Sequence, residues 1–336
     1  MVNSMYSPNY YDTLIIGAGP AGLASAMALG RAGRRVAVFD SQEYRNERSE
    51  AMHNVVLHDG QKPREFRYAA KVDITTKYPT VIFHDTEIKS VVTSPVCKSL
   101  TGFTVQTSRG IEYQGKKIIL ATGCQDIMAE VPGYTELWGN GIVHYLFCDG
   151  YEQSDGPIGV LGLDSLQDIS PILMAYHLTN SSMTIFLNGE VPTTEKEQTA
   201  LRVATARGCQ VNHQPIQQLL RKDKGVGISF QDGSYAFVNF LMHTPDTVNR
   251  AEHLISSLGV KTVGEDLHIE AQTPFGETNV RGCFSAGDIA AIAKVVAVAL
   301  ATGTMAGIGA ARQLALDEGC EAAFLGGGVG EGINNL

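Results

Sequence analysis

The stretch DTLIIGAGPAGLASAMALGRAGRRVAVFD, Asp12 to Asp40, decides the fold. Thr13 to Ile16 is a short, mostly β-branched apolar run, as a buried parallel strand requires. It breaks at once into Gly17-Ala18-Gly19-Pro20-Ala21-Gly22 and continues as a small-residue helix to about Arg31, ending near Gly33. A second apolar run, Val36 to Phe39, then ends on an acid, Asp40. The pattern is strand, tight glycine turn, helix, strand. Gly17 permits the sharp turn, Gly19 lets a pyrophosphate approach the backbone, and Gly22 lets the helix lie close on the sheet. The first helical residues, Pro20 and Ala21, present the positive end of the helix dipole to the phosphates. Asp40 stands roughly twenty residues on, where an acid accepts from a ribose hydroxyl. A lone GxGxxG is weak evidence; with strand, helix and terminal acid all in place it marks a dinucleotide site.

Length and charge agree. The 336 residues suffice for two domains. A net charge of −9 argues against a nucleic-acid surface. The leader Met1 to Tyr11 has no apolar core of the signal-peptide kind. Six scattered cysteines (Cys97, Cys124, Cys148, Cys209, Cys283, Cys320) form no CxxC, which suits free thiols in a reducing, cytoplasmic setting. The apolar stretch Ile289 to Ala311 holds Lys294, Gly303, Gly307 and Gly309, and reads as a buried helix under a cofactor rather than a membrane span. No metal-ligand spacing stands out.

Further along, Asp40-Ser41-Gln42-Glu43-Tyr44-Arg45-Asn46 precedes a loop with His53 and His58, a turn at Asp59-Gly60, and Pro63-Arg64-Glu65-Phe66. This segment resembles the low-molecular-weight thioredoxin-reductase family, most of all its fungal branch of gliotoxin-type dithiol oxidases. The resemblance implies an α/β fold of two Rossmann-like domains (three-layer ββα), the second inserted into the first. It also implies a tightly but non-covalently bound FAD and a homodimer. It sets Ser41, Arg45 and Asn46 at the adenosine end of FAD and the loop from His53 to His58 near the isoalloxazine, with Val91 a further contact. By themselves the two histidines read equally as ordinary loop residues.

A helix is expected from Pro63 to about Val72, with proline in the first turn, where its missing N–H is harmless. Alternating segments at Val81–His84, Glu87–Val92, Gly102–Thr107, Ile111–Tyr113 and Lys116–Leu120 read as a β-meander returning to the sheet. Ala121-Thr122-Gly123 closes it, and in the resembled family this turn touches FAD through its backbone. The expected domains are 1–126 and 244–320 for FAD, 127–243 for the insert, and a flexible glycine-rich tail, 321–336. After a hinge near His243-Thr244-Pro245, strands are expected at Leu267–Glu270 and Thr278–Val280. Ser285-Ala286-Gly287-Asp288 carries the family's AGD signature, which implies an Asp288 carboxylate on the ribityl chain. A helix is expected to begin near Ala291 to Lys294-Val295, its amides facing the flavin, with Lys294, Val295 and Val296 as the cofactor contacts that the resemblance implies. Lys294 then either adds a charge near the flavin or is a surface residue at a helix start.

In the insert, Gly159-Val160-Leu161-Gly162-Leu163-Asp164-Ser165 echoes a second dinucleotide turn, with a helix expected through about Leu178 and a strand at Met183–Leu187. The echo is thin in glycine. Asn188-Gly189-Glu190 to Glu195 follows the strand, where a 2′-phosphate needs arginines. Weak or absent NADPH binding is expected. The resembled family passes electrons through a CxxC in this domain. Here the frame runs His144-Tyr145-Leu146-Phe147-Cys148-Asp149-Gly150-Tyr151-Glu152, with Tyr145 at the first cysteine's place. Two sulfurs within bonding reach are required for a redox disulfide, and Cys148 has none nearby in sequence. Cys148 is then a lone nucleophile or a packed small hydrophobe. Asp149 is a candidate general acid or base, and His144 and Tyr145 are candidates for proton transfer or substrate contact.

The expected function is that of a FAD-dependent oxidase or dehydrogenase acting directly on a small molecule, of a fungal secondary-metabolite kind, with oxygen as the electron sink. An NADPH-dependent flavin reductase and a flavin-supported cyclase or isomerase are the alternatives.

Overall fold

A computed structural model describes residues 8–95, 101–264 and 268–325. Cys97, Leu267 and the glycine-rich tail from Gly326 lie outside them. The chain divides into two units. The first comprises residues up to Arg45, Arg64–Gln125 and the chain from Val248 on; the second comprises Asn46–Pro63 and Asp126–Thr247.

The first unit is built on a seven-stranded sheet. Strand Tyr10–Ile16 lies between Val36–Asp40 and Glu112–Leu120, both parallel to it. Val81–Asp85 extends the sheet beyond Val36–Asp40, and Cys283–Ser285 pairs in parallel with Glu112–Leu120. Ile88–Pro95 and Thr101–Thr107 form the expected antiparallel meander into Glu112–Leu120. Alternation of side chains along each strand sorts the core into two layers. Ile15, Val36, Val38 and Ile119 face helices Pro20–Arg31 and Val296–Leu325. Leu14, Ile16, Ala37 and Leu120 face the meander residues Val91, Phe103 and Val105. The result is three layers, helix on sheet on meander.

The two helices touch through small residues. A Cβ on Gly303 would sit 2.1 Å from Ala21 O, and Ser25 Oγ donates to Gly303 O at 2.8 Å. This explains the glycines of the apolar stretch; among the described residues no helix is long and apolar enough to cross a membrane.

The second unit has a five-stranded parallel sheet. Its spatial order is Gln210–Asn212, Met183–Phe186, Ile158–Leu161, Phe240–Met242, Ile142–Val143. A three-stranded antiparallel sheet, Ile216–Lys222, Gly225–Phe230 and Tyr235–Val238, accompanies it. Strand order reverses between Ile158–Leu161 and Phe240–Met242, and in open α/β sheets the crevice beyond the carboxyl ends at such a point takes the ligand. Gly162 and His243 follow those two strands directly.

Several expected boundaries move. The helix from Pro63 runs to Lys77, not Val72. Ile111–Tyr113 and Lys116–Leu120 are one strand, Glu112–Leu120. Gly115 does not interrupt it: a Cβ there would lie 2.6 Å from Leu14 Cγ, so the glycine serves a close approach between neighbours. Thr278–Val280 is not a strand; Thr278 Oγ1 turns back to accept from Val280 N. The last long helix begins at Val296, after a short 3-10 turn at Gly287–Ile289, just past the expected start between Ala291 and Val295. The helix expected after Gly162 is three fragments, Asp164–Leu166, Ser170–Ala175 and Tyr176–Leu178. Asp164 and Asp168 hold the nearby amides of Ser165 and Ser170, and Pro171 lacks the N–H a continuous helix would use.

Candidate functional site

In the first unit the glycine turn has the form its sequence predicts. Gly17 has φ +106°, and a Cβ on it would strike Ala121 O at 2.3 Å. A Cβ on Gly22 would overlap Gly17 O at 1.9 Å, so the helix start and the strand end are in contact. Beside Gly19 there is open space within 4 Å, and Gly19 caps the helix with no side-chain hydrogen bond. The first-turn amides of a helix lack intrahelical acceptors, and an anion completes them. Asp40 is buried at the end of its strand; its carboxylate accepts from Gln42 N at 2.9 Å and Tyr44 Oη at 2.5 Å. Arg67 stacks over the Tyr44 ring at 3.6 Å.

Opposite ends of the sequence meet here. Arg45 Nη1 pairs with Asp288 Oδ2 at 3.1 Å, and Cys124 Sγ lies 3.9 Å from the same oxygen. Gly287 has φ +80°, and its N–H donates to Thr302 Oγ1 at 3.0 Å. Thr122 Oγ1 is buried with no partner, an orphaned polar atom at the turn where a cofactor's polar edge would supply one. The set of glycine turn, Asp40, Thr122, Gly123, Arg45 and Asp288 fits FAD. Ser41 is exposed, Pro20 and Gly123 are half-buried, and Lys294, Val295 and Val296 lie half-buried at the start of the long helix. Val91 is a core side chain, and its carbonyl accepts from Ser257 Oγ at 3.3 Å.

Asn46, His53 and His58 belong to the second unit. The His53 Nδ1 atom sits 3.4 Å from both Asp59 Oδ2 and Glu152 Oε1, and Asp59 Oδ1 accepts from Asn54 N at 2.7 Å. His58 Nδ1 bonds Gln61 Oε1 at 2.9 Å. Asn54 and Leu57 hold φ of +59° and +69°. For Leu57 that is a strained conformation, of the sort that gathers at ligand sites.

The frame around Cys148 is a short helix, Leu146–Asp149, entered from Tyr145. Cys148 is half-buried and Cys124 is buried. Asp149 is the perturbed group: burial pushes its carboxyl up to about 6, against the opposing pull of His53 and with Glu152 adding to the rise. A carboxyl poised there is protonated or ionised within the working range of an enzyme.

The second glycine turn is occupied by the chain's own acids. Leu163 N donates to Glu190 Oε2 at 3.1 Å, and Ser165 N donates to Asp164 Oδ1 at 3.0 Å. Asp164 Oδ2 in turn holds His243 Nε2 at 2.7 Å, and His243 Nδ1 meets Tyr134 Oη at 2.6 Å. The next long helix of this unit, Glu195–Ala206, is sealed by a capping box between Thr194 and Glu197. Sequence reasoning saw the acids after Met183–Phe186 but not their targets. Tyr134 and its bond to His243, 109 residues away, gave no local signal.

A profile of the pyridine nucleotide-disulphide oxidoreductases matches residues 11–163. The thioredoxin reductase tcpT of Claviceps purpurea is 35% identical over 93% of this chain and 97% of its own. The thioredoxin reductase sirT of Leptosphaeria maculans is 35% identical over 90% and 94%. Among solved structures, an oxidoreductase from Agrobacterium tumefaciens superposes with a TM-score of 0.81 at 28% identity, covering 91% of this chain and 99% of that one. HlmI does so with a TM-score of 0.84 at 26% identity, covering 96% and 98%. The chain belongs to the thioredoxin-reductase family of pyridine nucleotide-disulphide oxidoreductases. It is a FAD-binding, flavin-dependent oxidoreductase with the family's α/β fold.

Proposed function

We propose that this protein is a FAD-dependent oxidase that takes two electrons directly from a small molecule and passes them to oxygen, with neither a nicotinamide nor a redox disulfide in between. One observation carries the reading. The amides of the second glycine turn, which a nicotinamide dinucleotide's pyrophosphate would need, are taken by Glu190 and Asp164. Those carboxylates also repel the anion. Tyr145 stands where the resembled family has its first cysteine, so the frame from His144 to Glu152 holds no CxxC.

FAD supplies the two-electron acceptor. The protein's own groups then handle protons. Asp149, ionised above pH of about 6, accepts a proton from the substrate as it is oxidised. His53, held between Asp59 and Glu152, stands in the same charge cluster and favours the ionised carboxylate. The substrate loses two electrons and two protons, and oxygen gains both pairs as hydrogen peroxide. The fungal relatives support a secondary metabolite as the substrate class, and a cytoplasmic homodimer is the working form expected from the resemblance.

The test requires no substrate. The flavin of the purified protein is photoreduced without oxygen and mixed with air-saturated buffer. Reoxidation within seconds, with one equivalent of peroxide, is expected; a flavin that stays reduced for minutes in air overturns the oxidase reading.

A further inference from the structure

The second unit holds a row of aromatic rings with one end near the surface and the other in the core. Phe147 is half exposed, and its ring lies 5.3 Å from that of Tyr145. Tyr145 lies 6.0 Å from His144, His144 lies 6.3 Å from Trp138, and Trp138 stacks on Tyr134 at 5.6 Å. Trp138 is 8% exposed and Tyr134 is fully buried. Electronic coupling between rings falls off exponentially with separation, so successive contacts of this kind favour stepwise electron movement. Trp and Tyr are the side chains most readily oxidised by one electron after sulfur.

At the buried end the row meets an ordered proton path. Asp164 has a half-exposed carboxylate that accepts from His243 Nε2 at 2.7 Å, which fixes the imidazole proton on that nitrogen. The Nδ1 lone pair then accepts the Tyr134 hydroxyl at 2.6 Å. Tyr134 lies beyond reach of any substrate, so the arrangement does not serve acid–base chemistry on one. A buried phenol can lose an electron only if its proton has somewhere to go at once, because an unrelaxed cationic radical would be an unpaired buried charge. His243 provides that acceptor. Burial also drives the Tyr134 phenol well above its ordinary range, so it enters the step protonated.

We propose that Tyr134 is a redox-active residue, the terminal electron donor of the chain Tyr145–His144–Trp138–Tyr134, with His243 and Asp164 as its proton exit. The co-reactant is a one-electron oxidant of the radical class, a thiyl or oxygen-centred radical arising at the Tyr145 end. The radical gains one electron and takes up one proton from water. Tyr134 gives that electron through Trp138, its O–H bond breaks, and its proton forms an N–H bond at His243 Nδ1. The Nε2 proton passes to Asp164 and from there to solvent. Each event leaves one neutral tyrosyl radical, returned to tyrosine by an external enediol reductant, which gives up one electron and one proton and leaves as its own stabilised radical. The row would thus draw stray oxidising equivalents away from the surface. Tyr145, beside the exposed Phe147, is its entry. This inference depends on contacts within the second unit alone and stands whether or not the oxidase reading does.

The test uses the FAD-loaded full chain and photogenerated tris(bipyridine)ruthenium(III) as the oxidant, read by transient absorption and by electron paramagnetic resonance after rapid freezing. With one tryptophan among the 336 residues, a tryptophanyl signal is Trp138 without ambiguity. Twelve tyrosines require variants to assign the other. The expected result is a Trp138 radical that decays as one tyrosyl radical grows, more slowly in deuterium oxide. Tyr134→Phe abolishes that tyrosyl signal and leaves the Trp138 radical long-lived. His243→Gln slows its growth and removes the solvent isotope effect, and Trp138→Phe suppresses its formation. Flavin content and circular dichroism confirm folding; were Tyr134→Phe to misfold, Trp138→Phe and His243→Gln decide. A tyrosyl signal unchanged by these substitutions, or a Trp138 radical that never passes to tyrosine in the parent, overturns the proposal. Loss of the oxidase reading would leave this result untouched.

Discussion

The two glycine turns of this chain resemble each other in sequence and differ in what meets their amides. In the first unit, Gly17 to Gly22 presents an uncapped helix start beside open space, with acids kept back at Asp40 and Asp288. In the second, Gly162 keeps its left-handed backbone, φ +76°, yet the amides after it are bonded to Glu190 and Asp164. The helix behind it is cut to fragments, so little dipole remains to favour an anion. On the proposed reading, a dinucleotide fold persists on its packed core while a few carboxylates close its site. Ile158, Val160 and Ile185, all fully buried, keep the second sheet whole regardless of what binds at its end. Burying such side chains contributes about 1.5–3 kcal/mol each.

The comparison breaks most visibly at Gly22. Gly22→Val forces a side chain onto Gly17 O, and the purified variant is expected to lose its flavin entirely, read as the ratio of visible to ultraviolet absorbance. On the proposed reading, Asp149 is the second unit's contribution to the chemistry. Asp149→Asn is expected to lower kcat by roughly 10²–10⁴-fold and to erase a rise in rate through pH of about 6. Cys148→Ser is expected to stay within about tenfold of the parent, since the frame from His144 to Glu152 holds no CxxC to relay electrons.

The same carboxyl makes a stability prediction of defined sign. Its folded pKa lies above the unfolded value of 3.8, so folding takes up a proton between the two values. The stability it permits is present below pH of about 4 and is lost as the pH rises to about 6. Asp149→Asn should therefore be more stable than the parent at pH 8, by on the order of 1–3 kcal/mol, and equal to it at pH 4. Thermal melts at the two pH values check this.

Glu190→Ala sharpens the contrast between the turns. It frees Leu163 N and removes a charge, and it is expected to tighten NADPH binding by about tenfold, ~1.4 kcal/mol, in calorimetry. The smallest effect belongs to the capping box: Thr194→Ala is expected to cost about 1 kcal/mol of stability in urea melts without touching flavin content.

How much was legible follows the range of each interaction. The first turn was readable because strand, glycines, helix and Asp40 are contiguous and each acts locally. Asp288 was readable only through the likeness of its AGD segment, and its pairing with Arg45 spans 243 residues. The start of the long helix was legible only as the range Ala291 to Val295, because Ala290 to Val295 offers no Ser, Thr, Asp or Asn to cap it. Fragmentation after Gly162 was present in the sequence, as Asp168 and Pro171, and outweighed by the expectation of a full crossover helix. The acids after Met183–Phe186 announced that a phosphate would be repelled. That Glu190 reaches back 27 residues to Leu163 N could only be seen in three dimensions. Tyr134 and His243 meet because sheet order brings distant strands together, which no window of sequence records.

The most direct measurement is anaerobic stopped-flow mixing of the yellow protein with NADPH, and separately with NADH, while following flavin absorbance. Glu190 and Asp164 on the second turn imply a flavin that stays oxidised through minutes of mixing with either nucleotide. Bleaching within seconds would show that the second unit still delivers a hydride, and would make this protein a nicotinamide-driven reductase.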